Sequence, residues 1–139
     1  MKWVEAYATG VPRIDEQHRM LFEMMDAFRA AFEEGRGERV YDNLLDSLAI
    51  YARTHFGFEE RCMAECRCAA GDRNATAHRR FEAVVADFTA RSAASGYRPA
   101  DAAELMDVVD KWLVGHIVGI DTEMRHYAPL VPPGRFDAL

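Results

Sequence analysis

The chain has 139 residues, half of them apolar, with a net charge of −6 and a pI near 5.3. That length supports one domain with a real core but hardly two, and the apolar share argues against disorder. The acidic balance argues against nucleic-acid binding, and no apolar run approaches the ~20 residues of a membrane span.

Apolar residues recur at helical period in four segments. An N-terminal arm, residues 1–14, comes first and carries Trp3, Val4, Tyr7 and Val11, which are expected to pack across the rest. The first helix is expected over Asp15–Glu34, with His18, Leu21, Met25, Phe28 and Phe32 inward and Gly35 and Gly37 ending it. The second runs over Glu38–Glu65, with Tyr41, Leu45, Leu48, Ala52, His55, Glu59, Cys62 and Cys66 on one stripe. The third runs over Asp72–Ser92, capped by Asp72, with Asn74, His78, Phe81, Val85 and Phe88 inward. The fourth runs over Pro99–Asp121, with Leu105, Val109, Trp112, His116 and Ile120 inward. The tail, residues 122–139, holds Pro129, Pro132 and Pro133 and is expected to be irregular after Tyr127. Short connections make neighbouring helices antiparallel. The expectation is therefore all-α: a single domain, an up-down-up-down four-helix bundle with an N-terminal arm. Met1–Gly10 shows no basic segment followed by an apolar stretch, so the cytoplasm is the expected compartment.

The chain has five histidines, and four of them fall on inward stripes. His18 lies near the start of the first helix. His55 and Glu59, four apart and so on one face, lie near the end of the second. His78 lies near the start of the third, and His116 and Asp121 near the end of the fourth. In an alternating bundle all of these meet at one end. Neutral imidazoles with carboxylates suit a borderline divalent metal such as iron. Four imidazoles and two carboxylates exceed what one ion needs beside open positions, so two ions are expected. Asp121 lies five residues beyond His116, a rise of about 7.5 Å along a helix. Gly115 and Gly119 either let the backbone approach closely or weaken the helix end.

Asn74 stands four residues before His78, where a second pair would place another histidine. Two readings stay open. It caps the helix or hydrogen-bonds a metal-bound water, or it is itself a ligand. Cys62, one turn beyond Glu59, is either a small buried hydrophobe or a thiol beside the metals. Cys62, Cys66 and Cys68 are odd in number and lack the spacing of common zinc sites, so neither a disulfide framework nor a zinc site is expected. Phe22, Met24, Met25, Phe28 and Phe81 are expected in the core, with His126, Glu33, Glu34, Arg79 and Arg80 at the surface.

In this order the motifs resemble a bacterial hemerythrin. The matching stretches are Trp3 through Thr9-Gly10-Val11, Ile14-Asp15-Glu16-Gln17-His18, and His55-Phe56 with Glu59-Glu60 and Met63. They continue through His78 with Phe81, then Trp112-Leu113 with His116-Ile117 and Asp121. The resemblance covers nearly the whole chain. It implies the up-down bundle of which the related myohemerythrin is an example. It also implies a non-haem di-iron centre that binds O2 reversibly. Glu59 and Asp121 would bridge the two iron ions together with an oxo or hydroxo group. One iron would take His18 and His55 and keep a position for O2. The other would take His78, His116 and a third histidine at the place of Asn74, which this chain lacks, leaving that iron site weakened. The expected role is a carrier, store or scavenger of O2 or a related diatomic, working as a monomer or weak oligomer without nucleic acid or membrane, and not an enzyme. Two alternatives stay open. One is a di-iron oxidase, peroxidase or nitric-oxide-reducing enzyme with an extra open position. The other is a degenerate bundle, with one metal or none, serving protein interaction.

Overall fold

The computed structural model describes residues 1–130. Of the tail expected to be irregular after Tyr127, Pro129 lies in a 3-10 turn (Ala128–Leu130), and Pro132 and Pro133 lie outside the described residues. Four helices carry the fold: α1 (Pro12–Glu33), α2 (Gly37–Glu65), α3 (Gly71–Ser95) and α4 (Pro99–Gly119). Short 3-10 turns at Glu5–Tyr7, Asp121–His126 and Ala128–Leu130 complete it, and no strand occurs among the described residues.

The helix ends follow from local chemistry. Pro12 and Pro99 each sit in the first turn, where a missing N–H costs nothing and the fixed φ favours a helical start. The arm is therefore shorter than its expected span of 1–14, because Pro12 starts the helix before Asp15. The chain leaves α1 through Gly35, whose φ is 78°. Arg36 N–H donates to the Ala31 carbonyl at 2.8 Å and Gly35 N–H to Phe32 at 3.1 Å, the paired bonds that close a helix end around a left-handed residue. Helix α2 ends the same way around Arg67, with Cys68 N–H donating to Met63 at 2.8 Å and Arg67 N–H to Ala64 at 3.2 Å. Here the left-handed residue is not glycine, and its φ is 54°.

Two expected caps are absent. Helix α3 starts at Gly71 with Ala70 at the capping position and no side-chain cap, so Asp72 lies inside the first turn. Asn74 lies deeper still and caps nothing. Helix α4 also stops short of the expected Asp121. It ends at Gly119, the chain bends at Ile120, and Asp121 opens a 3-10 turn. A Cβ at Gly115 or Gly119 would meet nothing within 4 Å, so neither glycine serves close approach.

The main core unites all four helices around Leu48, Leu105, Val109, Met25, Phe81 and Phe88, with Trp3 and Tyr7 of the arm packed against it. Phe22 and Phe28 are buried there as expected, and Met24 is half-buried. A second cluster at one end joins Val11, Ile14, Phe58, Cys62, Met63, Ala70 and Met124. A buried cluster of histidines and carboxylates brings together the starts of α1 and α3 and the ends of α2 and α4, which makes the bundle up-down-up-down.

Candidate metal centre

Each helix delivers its polar groups from its buried stripe. His18, His55, Glu59, Asn74, His78, His116 and Asp121 are all buried at 5 % exposure or less, inside an otherwise apolar bundle. Six of them, all but Asn74, converge. His18 Nε2 and His55 Nε2 each lie 3.1 Å from Glu59 Oε2. On the other side, His78 Nε2 lies 3.0 Å and His116 Nε2 3.6 Å from Glu59 Oε1. Asp121 repeats the division, with Oδ2 at 3.2 Å from His18 Nε2 and Oδ1 at 3.0 Å from His116 Nε2. The bend after Gly119 makes this reach possible. On a continued helix, Asp121 would point well away from His116.

All but the 3.6 Å separation are short enough for hydrogen bonds, yet Glu59 Oε1 and both Asp121 oxygens have none of good geometry. The groups point at shared space between them. His78 Nε2 and His116 Nε2 are 3.1 Å apart. Two nitrogens each ~2.1 Å from one ion and at right angles to it would be about 3 Å apart. Nine buried side-chain polar atoms lack a hydrogen-bond partner among the described residues, and seven belong to His18, Glu59, Asn74, His116 and Asp121. At ~1–3 kcal/mol for each unsatisfied buried group, leaving them all unmet would rival the stability of a whole domain. Cations among them would satisfy the three carboxylate oxygens. The residues fit a metal centre.

The outer ring nitrogens set which atom faces inward. His55 Nδ1–H donates to Gln17 Oε1 at 2.5 Å, and Tyr51 OH donates to the Gln17 carbonyl at 2.7 Å. His78 Nδ1–H donates to Glu60 Oε2 at 3.2 Å, and Arg79 steadies the same oxygen at 3.1 Å. A histidine whose Nδ1 donates outward keeps its Nε2 lone pair for a metal. Aromatic rings hold the planes. Phe56 lies flat on His78 at 3.7 Å between centroids, and Trp112 stacks on His116 at 4.4 Å. The supporting roles of Gln17 and Glu60 were not read from the sequence. The only signal was adjacency, since each neighbours a ligand candidate.

The charges are interdependent. Burial pushes the Glu59 carboxyl up, but His55, His116 and His18 override it and hold it well below the usual range. Burial pulls His18 and His116 down, yet Asp121 and Glu59 overcome this and raise them to about 10 and about 9. Burial dominates at His55, whose pKa is lowered. In a cation-free centre, protons on His18 and His116 would thus balance the two carboxylates, one on each side.

Other expected positions divide clearly. His126, Glu33, Glu34, Arg79 and Arg80 are exposed, as anticipated. Cys62 belongs to neither converging group. It packs in the second apolar cluster, where burial, then Glu59, raises its thiol to about 12. It is a protonated small hydrophobe. All three cysteines are free. No helix among the described residues is long and apolar enough to cross a membrane.

Comparison with known proteins agrees with this geometry. Residues 9–128 match the family described as Hemerythrin HHE cation binding domain. The chain is 32 % identical over 123 residues to a bacteriohemerythrin of Stenotrophomonas maltophilia, covering 86 % of this chain and 75 % of that one. It is 28 % identical over 115 residues to bacteriohemerythrins of Pseudomonas paraeruginosa and Pseudomonas aeruginosa, covering 83 % of this chain and 72 % of each. The chain belongs to the hemerythrin family.

Proposed function

We propose that this protein holds two iron ions and binds O2 or a related diatomic, as a carrier, store or scavenger. The observation that carries the reading is the division of both carboxylates. Glu59 and Asp121 each present one oxygen to the His18 side and one to the His116 side. His18 and His55 would hold one cation, His78 and His116 the other, and the two carboxylates would bridge them. When bound, such a pair supplies electrons to a diatomic ligand and recovers them on its release. Gln17 and Glu60 fix the tautomers of His55 and His78, while Phe56 and Trp112 hold the rings of His78 and His116 in orientation. The imidazole–carboxylate donor set suits iron.

Asn74 favours a second reading, as an oxidase or peroxidase, because it stands where the family resemblance implies an imidazole. One experiment separates these readings and the metal-poor alternative. Iron is counted in aerobically purified protein, and its optical spectrum is followed through cycles of O2 and argon. A reversible change supports the carrier. Turnover with an added reductant supports the enzyme. Less than one metal per chain supports a degenerate bundle.

A further inference from the structure

We infer that Asn74 seats a small exchangeable ligand between its carboxamide and the cation that His78 and His116 would hold. The ligand class is a water, a hydroxide or a small monoanion. The inference rests on the two-cation reading and extends it, giving this chain a second position for an exogenous ligand.

Three observations converge on Asn74. It is fully buried, and neither its Oδ1 nor its Nδ2 has a partner, a condition no other carboxamide among the described residues shares. It sits one helical turn before His78 on the stripe Asn74, His78, Phe81, Val85 and Phe88, every member of which is buried. It does not cap α3, which starts earlier. A buried carboxamide left unpaired on both atoms costs ~1–3 kcal/mol for each group, so something must meet it.

Reach and donor count decide between direct ligation and an intervening ligand. The carboxamide Oδ1 stops one bond short of where an imidazole Nε2 would end. At the place where the resemblance implies an imidazole, the shorter carboxamide would therefore stop short of the cation and leave room for a small group. Direct ligation through Oδ1 would also leave the Nδ2 donors buried and unmet. A small ligand with lone pairs accepts from Nδ2–H as well as binding the cation. The protein ligand count leaves room for it. The His78–His116 side offers two imidazoles and one oxygen from each carboxylate, as few as the His18 side.

The test uses the iron-loaded full chain and sodium azide as the probe, with calorimetric and optical titration reading stoichiometry and affinity. The wild type should bind two azides per chain. Asn74→His should bind one, with iron per chain unchanged, because an imidazole closes the position. Asn74→Leu, similar in size but without a donor, should still bind two but hold one of them roughly tenfold or more weakly. Ellipticity and iron content confirm that each variant folds; if Asn74→His does not, Asn74→Leu decides. A single azide in the wild type, unaltered in Asn74→His, overturns the inference, as do unchanged affinities in Asn74→Leu. Two irons with one azide would sink this inference alone. Fewer than two irons would sink the two-cation reading and this inference with it.

Discussion

Glu59 on α2 and Asp121 on the turn after α4 address the same two histidines. Glu59 places Oε2 3.1 Å from His18 Nε2 and Oε1 3.6 Å from His116 Nε2. Asp121 places Oδ2 3.2 Å and Oδ1 3.0 Å from those same nitrogens. Two carboxylates from distant parts of the chain thus span one gap in parallel. Hydrogen bonding among the side chains does not by itself explain this, because three of the four oxygens lack a hydrogen bond of good geometry. The proposed bridge between two cations would explain it.

Glu59→Gln should cost both cations rather than one. The amide keeps the volume but loses the charge that both sides share. Iron should fall from two per chain to below one, whereas His126→Ala, on an exposed residue past the centre, should leave two. Retention of two irons in Glu59→Gln would remove its bridging role.

The outward partners should tune affinity without emptying the site. Glu60→Ala removes the acceptor of His78 Nδ1–H, and Gln17→Leu that of His55 Nδ1–H. Such partners typically matter about 10–100-fold in metal affinity. Competition with a graded chelator should show a loss of that order in each variant. Unchanged affinity in both would mean that packing alone orients the rings.

Metal loading should release protons. In the cation-free centre the pKa values of His18 and His116 are raised to about 10 and about 9, against opposing burial, by Asp121 and Glu59. Both imidazoles are therefore protonated near neutral pH and must lose those protons to ligate. Adding metal in weak buffer at about pH 7.5 should release on the order of two protons per chain. The same shifts set the alkaline stability of the cation-free protein. A raised pKa gives stability that is complete below the unfolded value of 6.5 and lost as pH rises through about 9 and 10. Glu59 and His55, with lowered pKa values, act in reverse. Their stabilisation is complete above the unfolded values of 4.5 and 6.5 and is lost as pH falls through the folded ones. The melting temperature of the cation-free chain should thus fall between pH 6.5 and 10, and that of the loaded chain should stay level there. Identical profiles would contradict this.

Arg67→Gly should stabilise the fold. Arg67 holds a φ of 54° at the end of α2, where a side chain costs ~1–2 kcal/mol and glycine nothing. Glycine's extra freedom in the unfolded chain offsets part of that, leaving a gain of about 0.5–1 kcal/mol. Chemical denaturation of metal-free protein measures it, and a loss would mean that the arginine side chain makes a compensating contact.

The bundle was legible because its signal is long. The stripes of α1 to α3 repeat at helical spacing over about four turns or more, and each anchors its ligand candidates by register. Where the reading failed, the cause was local backbone geometry. A cap at Asp72 fitted the sequence, but the paired bonds that end α2 at Arg67 let α3 begin by Gly71. The end of α4 depends on one bend at Ile120, which no periodicity announces. That bend brings Asp121 into the buried cluster, so its place there was readable while its route was not. The outward bonds of Gln17 and Glu60 depend on side-chain direction across neighbouring helices, beyond the reach of spacing within one.

The most direct test of the account is anomalous diffraction at the iron edge from crystals of the iron-loaded protein. Two peaks per chain are expected. One should lie among His18, His55, Glu59 and Asp121, the other among His78, His116 and the same two carboxylates. A single peak, or iron bound away from Glu59 and Asp121, would contradict it.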